Sequence, residues 1–226
     1  MSFSSIKHSV IITAGGTGKR MGGAIPKQFL EIDGKPIIMH TIEKFVDFDS
    51  DIQVVVVIPS DQKANWNKLC QKHNFSIKHE IVEGGVERFF SVKNGLAIAS
   101  GELIAVHDAV RPFVSKKVIE NCFSSAQQNG AAVPVISLKE SIRTINGQTT
   151  RAVSRKDFAL VQTPQCFQSK LLKAAYQSRY KNEFMDDASV VEYAGGEITA
   201  VAGNEENIKI TSPMDLKWAK CIMDHE

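Results

Sequence analysis

The residue types best suited to chemistry stand together early in the chain, where Ala14-Gly15-Gly16-Thr17-Gly18-Lys19-Arg20-Met21-Gly22-Gly23 runs into Ala24-Ile25-Pro26-Lys27-Gln28-Phe29. A glycine-dense turn lets backbone N–H groups approach phosphate oxygens closely, because no Cβ stands in the way. Lys19, Arg20 and Lys27 add three cations to that cradle. Such charges can neutralise a triphosphate and, in a transition state, the extra charge of a pentacoordinate phosphorus. The competing reading is a glycine-rich surface turn with solvated lysines. Two familiar phosphate loops do not fit. A P-loop needs glycine where Thr13 stands and a hydroxyl residue where Arg20 stands, and a dinucleotide fingerprint needs glycine in place of Met21. Nor does an acidic residue end the next apolar run, at Ile58-Pro59.

Further along, Asp108 lies just past the apolar run Leu103–Val106. Open α/β sheets bind their ligands at such carboxyl ends, although a cap or turn residue would occupy the same place. Lys209 sits in a short apolar stretch between Asn207 and Thr211 that reads as a strand, and its head must reach something polar. Asp186-Asp187 invites a metal-site reading, but the pair opens the helical pattern Ala188–Ala194, where acids complement the helix dipole. His107 receives no task from its spacing. Cys70, Cys122, Cys166 and Cys221 stand far apart without metal-ligand spacing and are expected as free thiols in a reducing compartment.

The elements that must hold these residues alternate between strand and helix. Apolar runs at Ser9–Thr13, Ile52–Ile58, Ile77–Val82, Glu102–His107 and Ala131–Ile136 read as strands. Apolar spacings of three and four place helices at Pro36–Val46, Gln62–His73, Glu87–Ala99 and Lys116–Asn129, with Ser115 as an N-cap and Pro36 in a first turn. This alternation predicts an α/β fold, a doubly wound and mostly parallel sheet, with residues 1–226 in one domain. The segment from Lys139 to Arg155 departs from it, alternating polar and apolar residues around Asn146-Gly147, a strong hairpin signal. A two-stranded ribbon is not stable alone in water, so it is expected to lean on a second subunit as a protruding β-arm.

Composition narrows the partners. With 27 basic residues against 25 acidic ones, scattered and without a basic block, nucleic acid is not expected. The longest apolar stretch, Val54–Ile58, falls far short of the roughly 20 residues of a spanning helix, and Met1–Ser5 does not read as a secretory leader. A cytoplasmic enzyme without membrane contact is the expectation.

Several motifs carry a resemblance when taken in order. Ala14–Gly22 with Pro26-Lys27-Gln28-Phe29 is similar to the signature of nucleotidyltransferases that activate sugar and polyol phosphates. Val106-His107-Asp108-Ala109-Val110-Arg111-Pro112, Gln162-Thr163-Pro164-Gln165, Asp186-Asp187-Ala188-Ser189 and Asn207-Ile208-Lys209-Ile210-Thr211 narrow the match. Together they resemble the 2-C-methyl-D-erythritol 4-phosphate cytidylyltransferases of the non-mevalonate isoprenoid route, across nearly the whole chain.

That resemblance implies an in-line attack of a methylerythritol phosphate oxygen on the α-phosphorus of CTP, with pyrophosphate leaving and Mg²⁺ bridging triphosphate oxygens. It assigns transition-state stabilisation to Arg20 and Lys27, and nucleotide and metal contact to Asp108. Nucleotide binding falls to Ala14, Gly15, Gly16, Thr17, Gly18, Lys19 and Ala109, with base reading at Gly84, Gly85 and Ser91. The acceptor is assigned to Arg111, Thr163 and Lys209, with Ser141 and Arg155 reaching over from the partner of a homodimer that exchanges its β-arm. Val86 stands where the family often has an acid, and Met185 where it often has threonine. A ribitol 5-phosphate cytidylyltransferase shares the glycine-rich run. A non-catalytic nucleotide-binding module and a glycosyltransferase are the readings from other classes.

Overall fold

The computed structural model describes residues 7–15 and 25–224. Strand β1 (His8–Thr13) is followed by a 3-10 turn at Lys27–Phe29, the two short strands β2 (Glu31–Ile32) and β3 (Lys35–Pro36), and helix α1 (Ile37–Phe48). Next come β4 (Gln53–Ile58), α2 (Lys63–Lys72), β5 (Glu80–Glu83), α3 (Arg88–Ile98), β6 (Leu103–Asp108), α4 (Lys116–Asn129) and β7 (Ala131–Ser137). The hairpin strands β8 (Ile142–Asn146) and β9 (Thr149–Val153) lead to β10 (Ala159–Val161), β11 (Gln165–Gln168), α5 (Ser169–Ala175), α6 (Asp187–Tyr193), β12 (Thr199–Ala202) and α7 (Pro213–Met223).

β6, β1, β4 and β5 lie side by side and parallel, with Ile11 opposite Val106 on one side and Val55 on the other. β11 runs antiparallel between β6 and β7, β10 continues along the same edge of β7, and β12 covers the other edge in parallel. β1, β4 and β6 carry no polar alternation because both of their faces are buried. Val10, Ile12, Val54 and Val56 pack against Phe45 of α1, Trp66 of α2 and Ile119 of α4. Their neighbours Ile11, Val55 and Val57 meet Val92 of α3, Leu172 of α5 and Val190 of α6. A mostly parallel sheet with helices on both faces is the α/β class that the sequence pattern implies.

Local signals explain the element ends. Ser115 caps α4, its Oγ accepting from the Val118 N–H at 3.2 Å. Pro36 is the residue before α1 rather than inside its first turn, and it belongs to β3. Asp186 and Ser189 form a reciprocal capping box at the start of α6. Asp187 stands in the first turn of α6, as the helix-dipole reading expects, but it is also fully buried and binds the Arg88 guanidinium and the Tyr176 hydroxyl, tying α6 to α3 and to the end of α5. β5 begins at Glu80 rather than Ile77. Lys209 lies on no strand, since the stretch is held to the body by the Ile210 N–H to the Val110 carbonyl at 3.0 Å.

The hairpin turns at Gly147, whose φ of 60° lies in the region that glycine tolerates. β8 and β9 pair with each other in a sheet of their own, and Ile145 is 77% exposed. At the foot of the hairpin, Lys139 pairs with Glu205 and Arg155 bonds the Lys139 carbonyl.

The buried carboxylate makes a stability prediction. Asp187→Ala should cost about 3 kcal/mol, the low end for breaking a buried pair, because Arg88 keeps about a third of its side chain in solvent. Replacing both partners, Arg88→Met with Asp187→Leu, should cost less than that single change. Urea unfolding of the three proteins measures both, and equal losses would mean that the ion pair is not what holds α6 in place.

Candidate active site

The carboxyl ends of β1, β4, β5 and β6 converge on one side of the sheet. After β1 the Ala14 N–H bonds the Val57 carbonyl at 2.8 Å, and the buried Gln28 side chain donates to the Ala14 carbonyl at 2.7 Å. The second bond brings the two ends of the glycine-rich run together, and Gly15 and Lys27 line the same cleft. Gly16, Thr17, Gly18, Lys19 and Arg20 lie outside the described residues.

The second wall comes from the turn after β5. The Gly84 N–H bonds the Ile58 carbonyl at 2.8 Å, and the Gly85 N–H donates to Ser91 Oγ at 3.0 Å. Ser91 is buried, and its hydroxyl donates to the Glu87 carbonyl at 3.2 Å. Ser91 therefore braces the turn from inside, while Gly85 and Val86 form its rim. A Cβ on Gly85 would come within 2.3 Å of the Phe90 Cβ, so only glycine fits there.

At the end of β6 the Asp108 carboxylate is buried, and its Oδ2 receives Lys209 Nζ at 3.0 Å and Arg111 Nε at 3.2 Å. Burial alone would raise this carboxyl, but Lys209, Arg88 and Arg111 outweigh it and hold Asp108 far below the usual carboxylate range. Arg111 is gripped from its other side, where Nη1 donates to the Asn207 carbonyl at 2.8 Å. The buried Asn207 also donates to the Thr163 carbonyl at 2.9 Å, and Gln162 Nε2 donates to the Asn204 carbonyl at 2.9 Å. Thr163 precedes a cis proline where the chain passes from β10 to β11, and its Oγ1 accepts the Asp108 N–H at 3.1 Å.

Two clefts result. One, of about 250 Å³, is lined by Ala14, Gly15, Lys27, Gly85, Ser91 and Ala109. The other, of about 150 Å³, is lined by Arg111, Gln162, Thr163, Gln165, Met185 and Asp186. Arg88, Asp108 and Lys209 line both and form the wall between them. Larger hollows of about 540 and 330 Å³ lie at the amino ends of the strands, away from these cations. Gly84 stands beside the first cleft, its Cβ direction 3.3 Å from Ser91 Oγ. Ser141 and Arg155 are exposed at the foot of the hairpin and line neither cleft.

Arg88, Gln28 and Asn207 receive no role in the sequence reading, although Gln28 and Asn207 stand in its motifs. Their partners are distant in the chain, Arg88 lying 99 positions from Asp187 and Arg111 lying 96 from Asn207. Among the described residues, no group of three or more acidic, histidine or cysteine side chains gathers as a metal cluster. The wall nonetheless carries one ionised carboxylate, and Mg²⁺ is commonly held by one or two carboxylates together with substrate phosphates.

The arrangement thus offers two anion-receptive clefts joined at a cationic wall, next to a glycine turn able to meet a flat ring edge. The model of the family "2-C-methyl-D-erythritol 4-phosphate cytidylyltransferase" (IspD) matches residues 8–225. A protein of that name from Phocaeicola vulgatus is 52% identical over 95% of this chain and 98% of its own. The 2-C-methyl-D-erythritol 4-phosphate cytidylyltransferase of Thermus thermophilus superposes with a TM-score of 0.79 at 32% identity, covering 96% of this chain and 99% of that one. The 4-diphosphocytidyl-2C-methyl-D-erythritol synthase of Anaerococcus prevotii reaches a TM-score of 0.81 at 26% identity, covering 96% of each chain. The chain belongs to the 2-C-methyl-D-erythritol 4-phosphate cytidylyltransferase family.

Proposed function

We infer that the protein transfers the cytidylyl group of CTP to 2-C-methyl-D-erythritol 4-phosphate, releasing pyrophosphate and the cytidine-diphosphate methylerythritol of isoprenoid synthesis. The observation that carries this reading is the shared wall, Arg88, Asp108 and Lys209, between a cleft edged by the glycine-rich run and a smaller cleft lined by Arg111 and Thr163. A nucleotide in the first cleft and a phosphate-bearing polyol in the second would meet at that wall.

In this reading Ala14 and the backbone from Gly15 to Lys19 hold the β- and γ-phosphates, and Gly84 and Gly85 offer backbone groups to the cytosine edge with Ser91 bracing them. Ala109 closes the cleft below the nucleotide. Arg20 and Lys27 stabilise the charge that builds on the α-phosphorus as the acceptor oxygen attacks in line. Asp108 would hold Mg²⁺ together with triphosphate oxygens, and the ion would supply charge neutralisation to the leaving pyrophosphate. Arg111, Thr163 and Lys209 orient the acceptor, so that the attacking oxygen and the phosphorus need not find each other by diffusion.

A homodimer completes the acceptor cleft, with Ser141 and Arg155 supplied by the partner's arm. Three features support this part: the hairpin pairs with no other strand among the described residues, β10 exposes Leu160 and Val161, and Phe158 beside them is 53% exposed. A cytoplasmic setting is supported by four free cysteines, which suit a reducing compartment; among the described residues, no helix is long and apolar enough to cross a membrane.

Three measurements test this. Pyrophosphate release from CTP and Mg²⁺, followed in parallel with methylerythritol phosphate and ribitol 5-phosphate, should favour the former by at least tenfold in kcat/KM; preference for ribitol phosphate would overturn the acceptor. Lys27→Ala should lower kcat by about two to three orders of magnitude, or ~3–4 kcal/mol, with a much smaller change in the Kd of CTP. Equal losses in the two would instead describe a binding site without turnover. Sedimentation should find a dimer, and a fully active monomer would remove the exchanged arm.

A further inference from the structure

His107 is fully buried at the end of β6, and both of its ring nitrogens are engaged. Nε2 lies 3.0 Å from the Arg111 carbonyl oxygen, and Nδ1 lies 3.1 Å from Thr163 Oγ1. A carbonyl oxygen can only accept, so Nε2 must carry a proton. Neither ring nitrogen meets a carboxylate, so a second proton would bury a charge without a partner, and the ring holds only the one. Nδ1 is therefore bare and accepts, which leaves the Thr163 hydroxyl as the donor. Phe45 packs edge-on against the ring at 4.9 Å between centroids and holds its plane.

This fixes the polarity of Thr163. Its proton goes to His107, and one lone pair takes the Asp108 N–H at 3.1 Å. Thr163 lines the smaller cleft, and its oxygen keeps one lone pair beyond these two bonds. A group in that state can accept a hydrogen bond but cannot give one. Phosphate oxygens need donors, and Arg111 and Lys209 supply them in the same cleft. A polyol hydroxyl has a proton to give.

We propose that His107 is a positioning residue for the acceptor: by taking the hydroxyl proton of Thr163 it makes that oxygen an acceptor, which reads a hydroxyl group of the bound polyol rather than its phosphate. The same ring holds the Arg111 carbonyl, so one side chain sets both the hydroxyl-reading and the phosphate-reading groups of the cleft. This rests on the acceptor reading above for its substrate, but not for its geometry.

The test has an arm that needs no substrate. In protein labelled with ¹⁵N at histidine, the imidazole spectrum at pH 7 should show His107 neutral with the proton on Nε2. A proton on Nδ1, or on both nitrogens, overturns the proposal. The kinetic arm uses His107→Phe, Thr163→Val and the double variant. His107→Phe should raise the KM for methylerythritol phosphate about tenfold, the scale of one hydrogen bond, with the KM for CTP unchanged. In the Thr163→Val background the same change should add less than twofold, because its target is gone. His107→Gln, which keeps one donor and one acceptor, should restore part of the loss. Fully additive effects, or equal losses for CTP and acceptor, overturn the proposal. Absence of turnover by the unmodified protein would instead count against the activity, while the spectrum still decides the proton.

Discussion

The organisation of the site depends on one buried carboxylate surrounded by positive charge. Asp108 sits at the end of a central strand where water is scarce, and an ionised carboxylate is tolerated there only because Lys209 and Arg111 meet the same oxygen. Its partners are thereby drawn to the wall between two clefts. The cations exceed the carboxylate they surround, so the wall keeps an unmet appetite for anions. A reaction that joins two phosphate-bearing molecules places its negative charge in just such a position.

The sheet explains why the wall forms where it does. β1, β4, β5 and β6 end on the same side, which brings Gly15, Gly84 and Asp108 together from distant parts of the chain. The antiparallel strand β11 starts at that same end, beside β6, with Gln165 at its first position and Thr163 just before it. Asn207 locks this strand start, bonding the Thr163 carbonyl and receiving Arg111 on its own carbonyl. Side chains of the smaller cleft are therefore held by backbone carbonyls as much as by one another, which keeps them in place before any ligand arrives.

Much of this was legible in the residues. The unbroken apolar runs of β1, β4 and β6 could only be strands buried on both faces, and glycine after the first of them marked where phosphates could approach. Asn146-Gly147 announced the hairpin. β10, β11 and β12 were not legible, because Gln165-Cys166-Phe167-Gln168 and Thr199-Ala200-Val201-Ala202 are short and carry too little apolar bulk for periodicity to register. Arg88, Asn207 and His107 escaped for a different reason. Their significance lies in long-range partners, such as Thr163 for His107, which no local pattern encodes. Asp187 shows the same limit, since its position at a helix start suggested the dipole, while its burial against Arg88 and Tyr176 is a property of the packed fold.

On the inferred reaction, the triphosphate lies along the run from Gly15 to Lys27, with its α-phosphorus at the Asp108 wall. A crystal structure with CTP and Mg²⁺ bound tests it most directly. Cytosine should lie against Gly84-Gly85, with the Lys27 ammonium within hydrogen-bond reach of an α-phosphate oxygen. A triphosphate bound elsewhere, with Lys27 turned to bulk water, would contradict it.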